Sequence, residues 1–577
     1  MKLYTATPIT QKGGIPAKAG IQAPSRRKPG TIPNTGFPRI KYGASLVKPG
    51  MTNRLRSMSS ITKTFSTFGG DGEALVNSKN LTRILLLILF IAFTLRLFHI
   101  LHPEVIHNDG TEYIRHAKQV LSGYWTAGKS PPLYPVLIAL ASLITKNYEM
   151  AGIWISVILG TLTVLTVFYL GREIFNESVG IISALLATVQ PFLYMSSGSV
   201  LTESTYHFLL ATSALFGWKG FSQGKLYHLL LFSLFTALAY LTRPEAIGFL
   251  LVFAVWVFFF KPPGSKRSWV KRVGIILVAI AGFLLFSSPY LIQIRKETGR
   301  WEISKKVSVS VGNLSEEETP SIETIRKKKG ITLSSFIKNP LPVMGKVGIG
   351  FFDSLYKFQQ VYNPILFALA VLGWIFIFKT PSSFLKGNFY LMAHLIFFFG
   401  LIFPFFFITR RYTSQMISIS IPWAAYGFLN GIGWVQQRSP KWKWISERKA
   451  PLVLLIILSA VLFVQGRVIH TREHRDIQRE AGLWIKDHLP REGKLMSKLP
   501  QEAFYAELPW VRMPEGSYEE VLKRARLKGA RYLALDEEVE KDSPGFWRKV
   551  REEDMVSLKE FKKKDRRVAV FEIVSGK

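Results

Sequence analysis

Long apolar stretches separated by short polar ones dominate the chain between about residues 82 and 470. Residues 84–94, 246–260 and 273–287 contain no charged side chain at all. Because a helix that crosses a bilayer needs about 20 mainly apolar residues, this pattern predicts a polytopic α-helical membrane protein. It excludes a soluble enzyme, a coiled coil and a disordered chain.

The pattern predicts about 11 membrane spans, within a range of 11–13. The predicted spans are 82–101, 150–170, 178–197, 202–218, 226–242, 246–260, 273–292, 362–378, 388–408, 413–434 and 451–468. One apolar run, 131–145, begins with three prolines in five residues and is too short for a span. We predict that it lies on the membrane surface as an interfacial helix.

The distribution of charge supports this topology. Loops 261–272 and 435–450 each carry five basic residues, and short cytoplasmic loops are enriched in Lys and Arg. Both loops and the basic N-terminus are cytoplasmic if 131–145 does not cross. We therefore predict a multi-pass protein of the plasma (inner) membrane with an extracytoplasmic C-terminal domain. The net charge of +35 then reflects topology, not a nucleic-acid partner.

Three regions follow from composition. Residues 1–80 are rich in Gly, Pro, Ser, Thr and basic residues, and we expect a disordered extension, with Met51 or Met58 as the true start. Residues 81–470 form the membrane domain, with external loops 102–149 and 293–361.

Residues 471–577 are charged and amphipathic, and they predict a small α/β domain outside the membrane. Ser517 and Glu520 have the spacing of a capping box that opens a helix, and Gly529 is a plausible stop. Residues 531–536 and 567–574 read as strands.

Two carboxylates lie at predicted external ends of helices. Asp109 begins an amphipathic helix that continues to Leu121, and it is either an N-cap group or a functional carboxylate. Glu203 falls in the first turn of the next candidate helix, which Thr202 is placed to cap. It either satisfies the helix dipole or takes part in chemistry.

Several cations share this external side. Lys129, Arg243, Arg410 and Arg411 are either interfacial anchors or ligands for an anion, and Tyr412 is a candidate interfacial aromatic residue. The chain has no cysteine, which excludes disulfides and thiolate metal sites. It also shows no glycine-rich phosphate loop, no nucleophile elbow and no pair of histidines at metal spacing.

These residues belong to a series of motifs that resembles that of a known protein family. In chain order, its landmarks are Asp109, Tyr113, Gly123, Pro131-Pro132-Leu133-Tyr134-Pro135, Leu201-Thr202-Glu203, Leu241-Thr242-Arg243-Pro244, Gly299-Arg300-Trp301 and Arg411-Tyr412. Over about residues 80–470 the chain resembles family-39-type GT-C glycosyltransferases: protein O-mannosyltransferases, aminoarabinose transferases and the RgtA/B/C/D-like bacterial group. In two places the sequence departs from the pattern. Gly110 follows Asp109 where many members have an acidic residue, and Ser130 precedes the prolines where aminoarabinose transferases have Lys.

The resemblance implies an inverting hexosyl or pentosyl transferase of GT-C fold. It implies a polyprenyl-phosphate sugar donor and a lipid, glycan or protein acceptor of the cell envelope on the outer face. The resemblance also implies that Asp109 is the catalytic carboxylate. The implied substrate-binding residues are Lys129, Glu112, Tyr113, Glu203, Arg243, Arg300, Arg410, Arg411 and Tyr412. Glu203 orients a substrate or helps to hold a divalent cation.

Other functions stay open at this point: a transporter or flippase of a lipid-linked sugar, a glycan polymerase or ligase, and a non-catalytic assembly protein. Transporters commonly carry internal repeats and polar sites near the bilayer midplane. This chain shows no repeat, and its polar residues fall at the ends of predicted spans.

Overall fold

The computed structural model describes residues 78–124, 126–128, 130–261, 268–305, 340–378, 385–405, 409–438, 450–468, 476–542, 545–563 and 566–574. All of them belong to one compact unit, Thr64–Lys577. The predicted N-terminal extension, apart from its last three residues, lies outside the described residues, as do Met51, Met58 and Lys129.

Helices make up the apolar part of the chain. They are α1 (Ser78–Leu101), α2 (Asn108–Leu121), α3 (Leu133–Thr145), α4 (Tyr148–Ile174), α5 (Glu177–Val189), α6 (Pro191–Ser196), α7 (Glu203–Gln223), α8 (Leu226–Tyr240), α9 (Ile247–Phe259), α10 (Trp269–Thr298), α11 (Pro340–Tyr362), α12 (Pro364–Ile377), α13 (Leu385–Phe397), α14 (Arg410–Ser414), α15 (Ile417–Arg438) and α16 (Ala450–Val468). Each of the predicted spans contains helix.

Among the described residues, four helices are long and apolar enough to cross a membrane: Asn80–Leu101, Tyr148–Ile174, Trp269–Thr298 and Leu385–Ile402. The pair Val347–Tyr362 and Pro364–Ile377, bent by 111°, counts as a fifth if it forms one span. Multiple membrane-spanning helices are thus supported, whereas the number of 11 stays a prediction.

The region after the proline run is a helix of 13 residues, α3. At about 1.5 Å per residue it is shorter than the roughly 30 Å hydrocarbon layer. Helix α5 has the same length, so length does not by itself separate a surface helix from a span. The surface placement of α3 stays a prediction.

The C-terminal part is an α/β domain, as predicted. Its elements are α17 (Asp476–His488), β1 (Lys494–Ser497), α18 (Gln501–Tyr505), β2 (Trp510–Arg512), α19 (Tyr518–Lys528), β3 (Ala530–Asp536), α20 (Glu537–Asp542), β4 (Met555–Lys563) and β5 (Arg566–Ile573). The strands form one sheet in the order β2-β1-β3-β5-β4. Strand β1 pairs parallel with β2 and β3, whereas β5 pairs antiparallel with β3 and β4.

Alternation along β3 explains how the sheet is covered on both faces. Leu533 and Leu535 pack in the apolar cluster that includes α19, whereas Tyr532 and Ala534 pack in the cluster that includes α17. Successive side chains of a strand point to opposite faces, so each helix covers one face. The predicted capping box opens α19 at Ser517, and the helix ends at Gly529 in the left-handed conformation.

Candidate active site

Helix α2 brings Asp109 to the site. Its N-cap is His107, whose ring Nδ1 accepts the hydrogen bond of the Asp109 N–H at 3.2 Å. Asp109 is therefore not the N-cap, contrary to the first of the two expectations for this residue. Its carboxylate remains in the first turn, where the helix dipole favours a negative charge, and its side chain is 48% exposed.

Gly110 explains one departure from the family pattern. A Cβ at this position would lie 2.8 Å from the carbonyl oxygen of Val200 and 2.8 Å from Cγ1 of Ile106. Backbone atoms cannot move aside cheaply, so an acidic side chain does not fit after Asp109 in this packing. The close approach brings the start of α2 against the turn that precedes Glu203.

Glu203 is the first residue of α7, and its side chain is only 2% exposed. Its Oε1 accepts hydrogen bonds from Arg243 Nη2 at 2.7 Å and from Arg411 Nε at 2.6 Å. Two cations thus compensate the buried carboxylate, which would otherwise be very costly to bury. Glu203 is the anchor to which both arginines are attached.

Arg411 joins the two carboxylates. Its Nε binds Glu203, and its Nη1 donates to Asp109 Oδ2 at 2.8 Å. Burial disfavours the charged guanidinium, but the carboxylates of Glu203 and Asp109 outweigh it and raise the pKa of Arg411. Arg411 is thus a permanent cation between a buried and a half-exposed carboxylate.

Arg243 is buried, so it is not an anchor that extends to the membrane surface. Its Nε donates to the Thr202 hydroxyl at 3.0 Å, and its guanidinium lies 5.5 Å and 5.7 Å from the ring centroids of Tyr206 and Tyr412. Thr202 is the N-cap residue of α7 and Glu203 lies in the first turn, as predicted, but the Thr202 hydroxyl makes no capping hydrogen bond. We call Asp109, Glu203, Arg243 and Arg411 the carboxylate–arginine network.

Tyr113 lies one helical turn after Asp109, with its ring edge-to-face against Tyr134 at 5.3 Å between centroids. Burial, helped by the charges of Asp109 and Glu203, raises the pKa of the Tyr113 hydroxyl. The phenol therefore stays neutral and can donate a hydrogen bond.

The remaining predicted residues lie outside the network. The Glu112 carboxylate accepts a hydrogen bond from Arg115 Nε at 2.9 Å, and it lies 3.3 Å from His116 Nε2. Arg300 and Arg410 are exposed on the surface and pair with neither Asp109 nor Glu203.

A cavity of about 350 Å³ adjoins Asp109. It lies between the start of α2 and the C-terminal domain, and its lining is Asn108, Asp109, Thr111, Glu112, Lys498, Leu499, Pro500, Trp510, Arg512, Met513, Pro514, Glu515, Gly516, Val521, Val539 and Phe546. No local motif marks the C-terminal lining residues as neighbours of Asp109, because they lie 389–437 positions further along the chain.

Two buried side chains of α18 fix this arrangement. Gln501 Nε2 donates to Asn108 Oδ1 at 2.5 Å and to the Ile106 carbonyl at 3.1 Å. The Tyr505 hydroxyl accepts the Ile106 N–H at 3.0 Å and donates to Glu149 Oε1 at 2.8 Å. The C-terminal domain therefore holds the backbone immediately before Asp109.

A divalent cation was one of the alternatives for Glu203. In the described part of the chain, no group of three or more His, Asp and Glu side chains is arranged to hold a metal ion. Arg411 occupies the position between Asp109 and Glu203 where a cation would bridge them. As arranged, these residues do not fit a divalent cation.

Comparison with known proteins supports the predicted resemblance. The sequence profile of the dolichyl-phosphate-mannose-protein mannosyltransferase family matches residues 129–292. That segment contains Glu203 and Arg243, but not Asp109 or Arg411. No curated protein sequence matches significantly.

Two solved structures share the fold. The oligosaccharyltransferase AglB from Archaeoglobus fulgidus, bound to an inhibitory peptide and a dolichol-phosphate, aligns with a TM-score of 0.54 at 13% identity over 80% of this chain and 70% of AglB. ArnT from Cupriavidus metallidurans, bound to undecaprenyl phosphate, aligns with a TM-score of 0.53 at 11% identity over 84% of this chain and 97% of ArnT. The chain thus has the fold of GT-C membrane glycosyltransferases, as its sequence motifs predicted.

Proposed function

We propose that this protein is an inverting glycosyltransferase that moves one sugar from a polyprenyl-phosphate donor to an acceptor of the cell envelope. The observation that carries the proposal is Arg411, which joins the buried Glu203 to the half-exposed Asp109 beside a cavity. The polyprenyl-phosphate ligands of AglB and ArnT, two proteins of the same fold, support the choice of donor.

Asp109 is the proposed base. The acceptor hydroxyl attacks the anomeric carbon from the side opposite the phosphate, and the carboxylate of Asp109 takes the hydroxyl proton. The C–O bond to the phosphate breaks, and the configuration at the anomeric carbon inverts. One carboxylate suffices because the phosphate leaves without a general acid, unlike the leaving group of a glycosidase.

Arg411 and Arg243 are the proposed partners of the departing phosphate. Both are fixed by Glu203, so the cations are in place before charge develops on the leaving group. Guanidinium groups bind phosphate through two parallel hydrogen bonds. On donor binding we expect Arg411 to exchange its contact with Asp109 for one with the phosphate, which frees the carboxylate to act as a base.

The topology of the proposal follows the positive-inside argument. The network lies at span ends that we assign to the outer face, together with the C-terminal domain. Donor and acceptor would therefore meet outside the plasma membrane, with membrane lipids around the donor chain. The proposed acceptor is a lipid, a glycan or a protein of the cell envelope.

The test compares cell envelopes from a deletion strain that carries wild-type protein, Asp109→Asn or no protein. Mass spectrometry of glycolipids and glycoproteins should show a sugar that depends on wild-type protein and is lost with Asp109→Asn at equal membrane abundance. Asp353→Asn, a half-exposed carboxylate on α11 that pairs with Lys357, is the control and should retain transfer. Full transfer by Asp109→Asn would refute the assignment of the base, and an unchanged envelope in the deletion strain would refute the function.

A further inference from the structure

A short helix of the C-terminal domain, α18, packs in two apolar cores. Ala503, on this helix, and Ala506, directly after it, belong to the apolar cluster that covers one face of the C-terminal sheet. Tyr505, which lies between them, belongs instead to the cluster formed by α2, α3 and α4, together with Ile106 and Tyr113. Helix α18 therefore connects the C-terminal domain with the region around α2.

The place of α18 within its own domain is set by a close approach to α17. A Cβ at Gly482 of α17 would lie 2.7 Å from the Glu502 carbonyl oxygen and 2.7 Å from Tyr505 Cβ. Only glycine allows the two helices to approach so closely. A group that α18 binds in the membrane domain is therefore fixed relative to the C-terminal sheet.

Hydrogen bonds from α18 hold both backbone groups of Ile106. The Tyr505 hydroxyl accepts the Ile106 N–H at 3.0 Å, and Gln501 Nε2 donates to the Ile106 carbonyl at 3.1 Å and to Asn108 Oδ1 at 2.5 Å. His107, between these two residues, is the N-cap of α2, and Asn108 is its first residue. The fixed points thus lie on both sides of the N-cap, immediately before Asp109.

The same segment is tied to a membrane helix. The Tyr505 hydroxyl donates to Glu149 Oε1 at 2.8 Å, in the first turn of α4. Arg479 of α17 donates to the Pro103 carbonyl at 3.3 Å, and its guanidinium lies 5.5 Å from the centroid of the Tyr505 ring. The segment 103–108 is therefore held between the C-terminal domain and α4, a helix long enough to cross the membrane.

This support matters most when the donor is bound. In the resting structure the half-exposed carboxylate of Asp109 is held by Arg411 at 2.8 Å. In the proposed reaction Arg411 exchanges this contact for the donor phosphate, and the carboxylate is then oriented through the backbone at the start of α2. A displacement of about 1 Å in a reacting group can lower a rate by about 100-fold.

We propose that Gln501 and Tyr505 are positioning residues for Asp109. Through Ile106 and Asn108 they set the start of α2, and thereby the place of the carboxylate that takes the proton of the acceptor hydroxyl. Neither residue lines the cavity, so both act through Asp109. The inference rests on the proposed function and extends it, because it gives the C-terminal domain a part in catalysis.

Steady-state transfer rates of the purified full-length protein, with a defined donor and acceptor, test the inference. Gln501→Met keeps the length of the side chain but loses both donated hydrogen bonds, and kcat should fall by about 10–100-fold. The KM for the donor should stay within about twofold, because no donor contact is removed. Tyr505→Phe keeps the ring in its cluster and should lower kcat by a smaller factor, so it also serves if Gln501→Met does not fold.

Matched controls lie within the C-terminal domain. Gln478, buried on α17, donates from Nε2 to Asp536 Oδ2 at 3.3 Å, and the Tyr518 hydroxyl donates to Asp554 Oδ2 at 3.2 Å. Gln478→Met and Tyr518→Phe remove hydrogen bonds of the same kinds, and kcat should stay at the wild-type level even where the Tm falls. An equal loss of kcat in Gln501→Met and Gln478→Met would overturn the inference, because it would reflect general damage to the domain.

A double-mutant cycle tests the route of the effect. Asn108→Ala removes one acceptor of Gln501, so Gln501→Met/Asn108→Ala should lower kcat by less than the product of the two single effects. Single effects that multiply would show that Gln501 acts independently of the start of α2, and the inference would be wrong.

Hydrogen exchange separates this inference from the proposed function, because it needs no transfer. Mass spectrometry should show faster deuterium uptake in residues 103–112 of Gln501→Met than in Gln478→Met or the wild type. If Asp109→Asn abolishes transfer but Gln501→Met changes neither uptake nor kcat, or uptake alone, the function stands and the inference fails. If uptake rises in Gln501→Met but transfer does not depend on Asp109, the function fails, and the contact has only a structural role.

Discussion

Arg96 and Arg411 both lie in the helical region, one fully buried and one partly buried, and their surroundings differ in kind. Arg96, inside α1, is fully buried and bonds the Ser197 hydroxyl at 3.1 Å and the carbonyls of Ala92 at 3.1 Å, Thr188 at 3.4 Å and Ala187 at 3.5 Å. Arg411 binds two carboxylates, one of them half-exposed. In the described part of the chain, the hydrogen-bond partners of Arg96 are a hydroxyl and backbone carbonyls, whereas Arg411 binds one buried and one half-exposed carboxylate.

The charge of Arg96 has a structural role, whereas we propose a catalytic role for that of Arg411. Ala187 and Thr188 lie in the last turn of α5, whose final carbonyls have no acceptor role within the helix. Arg96 satisfies them and ties α1 to the turn before α7, so its charge serves packing. Arg411 binds Glu203 and also Asp109, which lines a cavity, and its charge is the one that we propose to act in catalysis.

The largest expected effect belongs to Arg411→Met. Loss of this cation removes both the bridge between the carboxylates and a stabilising partner of the leaving phosphate, so transfer should fall by about 10²–10³-fold. Rates measured on purified protein with a defined donor test this, and Arg411→Lys should recover part of the loss. Near-normal transfer by Arg411→Met would place Arg411 in the same structural class as Arg96.

Arg96→Met should show the opposite pattern. The carbonyls of Ala187 and Thr188 lose their donor, and the free energy of unfolding should fall by about 3 kcal/mol. Thermal unfolding in detergent measures the loss, and transfer per folded molecule should stay at the wild-type level. Wild-type stability with loss of transfer would mean that Arg96 also serves the active site.

Arg410→Met is the smallest expected change and the matched control for Arg411→Met. Arg410 neighbours Arg411 in α14 but is exposed and outside the carboxylate–arginine network. Surface substitutions of this kind usually change stability by less than about 0.5 kcal/mol. Both the Tm and transfer should match the wild type, and a large loss of transfer would restore Arg410 to the substrate-binding residues that the sequence suggested.

Local signals in the sequence predicted local structure well. The pair Ser517 and Glu520 gave the start of α19, and the apolar stripe after Asp109 gave α2. The length of the apolar segments indicated membrane helices but not their number. Short helices and bent pairs such as α11–α12 cannot be counted as spans from their length alone.

The contacts of Thr202 and the C-terminal lining of the cavity were harder to predict, for one physical reason. Thr202 is at the N-cap position, but its hydroxyl accepts a hydrogen bond from Arg243, 41 residues away in the chain, and none from α7. Likewise, Trp510 and Arg512 become neighbours of Asp109 only through packing between domains. Contacts of this kind leave no spacing pattern in the chain, whereas a resemblance of ordered motifs still identified Asp109, Glu203, Arg243 and Arg411.

The hydrogen bonds between α18 and the segment before Asp109 have a consequence for protein engineering. Gln501 and Tyr505 form hydrogen bonds with the backbone of Ile106, and Gln501 also binds the side chain of Asn108. A chimera whose C-terminal domain lacks Gln501 and Tyr505 would leave the Ile106 N–H and the Glu149 carboxylate without these hydrogen-bond partners. Domain exchange in this fold therefore has to carry residues 103–108 and Glu149 along with the new domain, because they form hydrogen bonds with it.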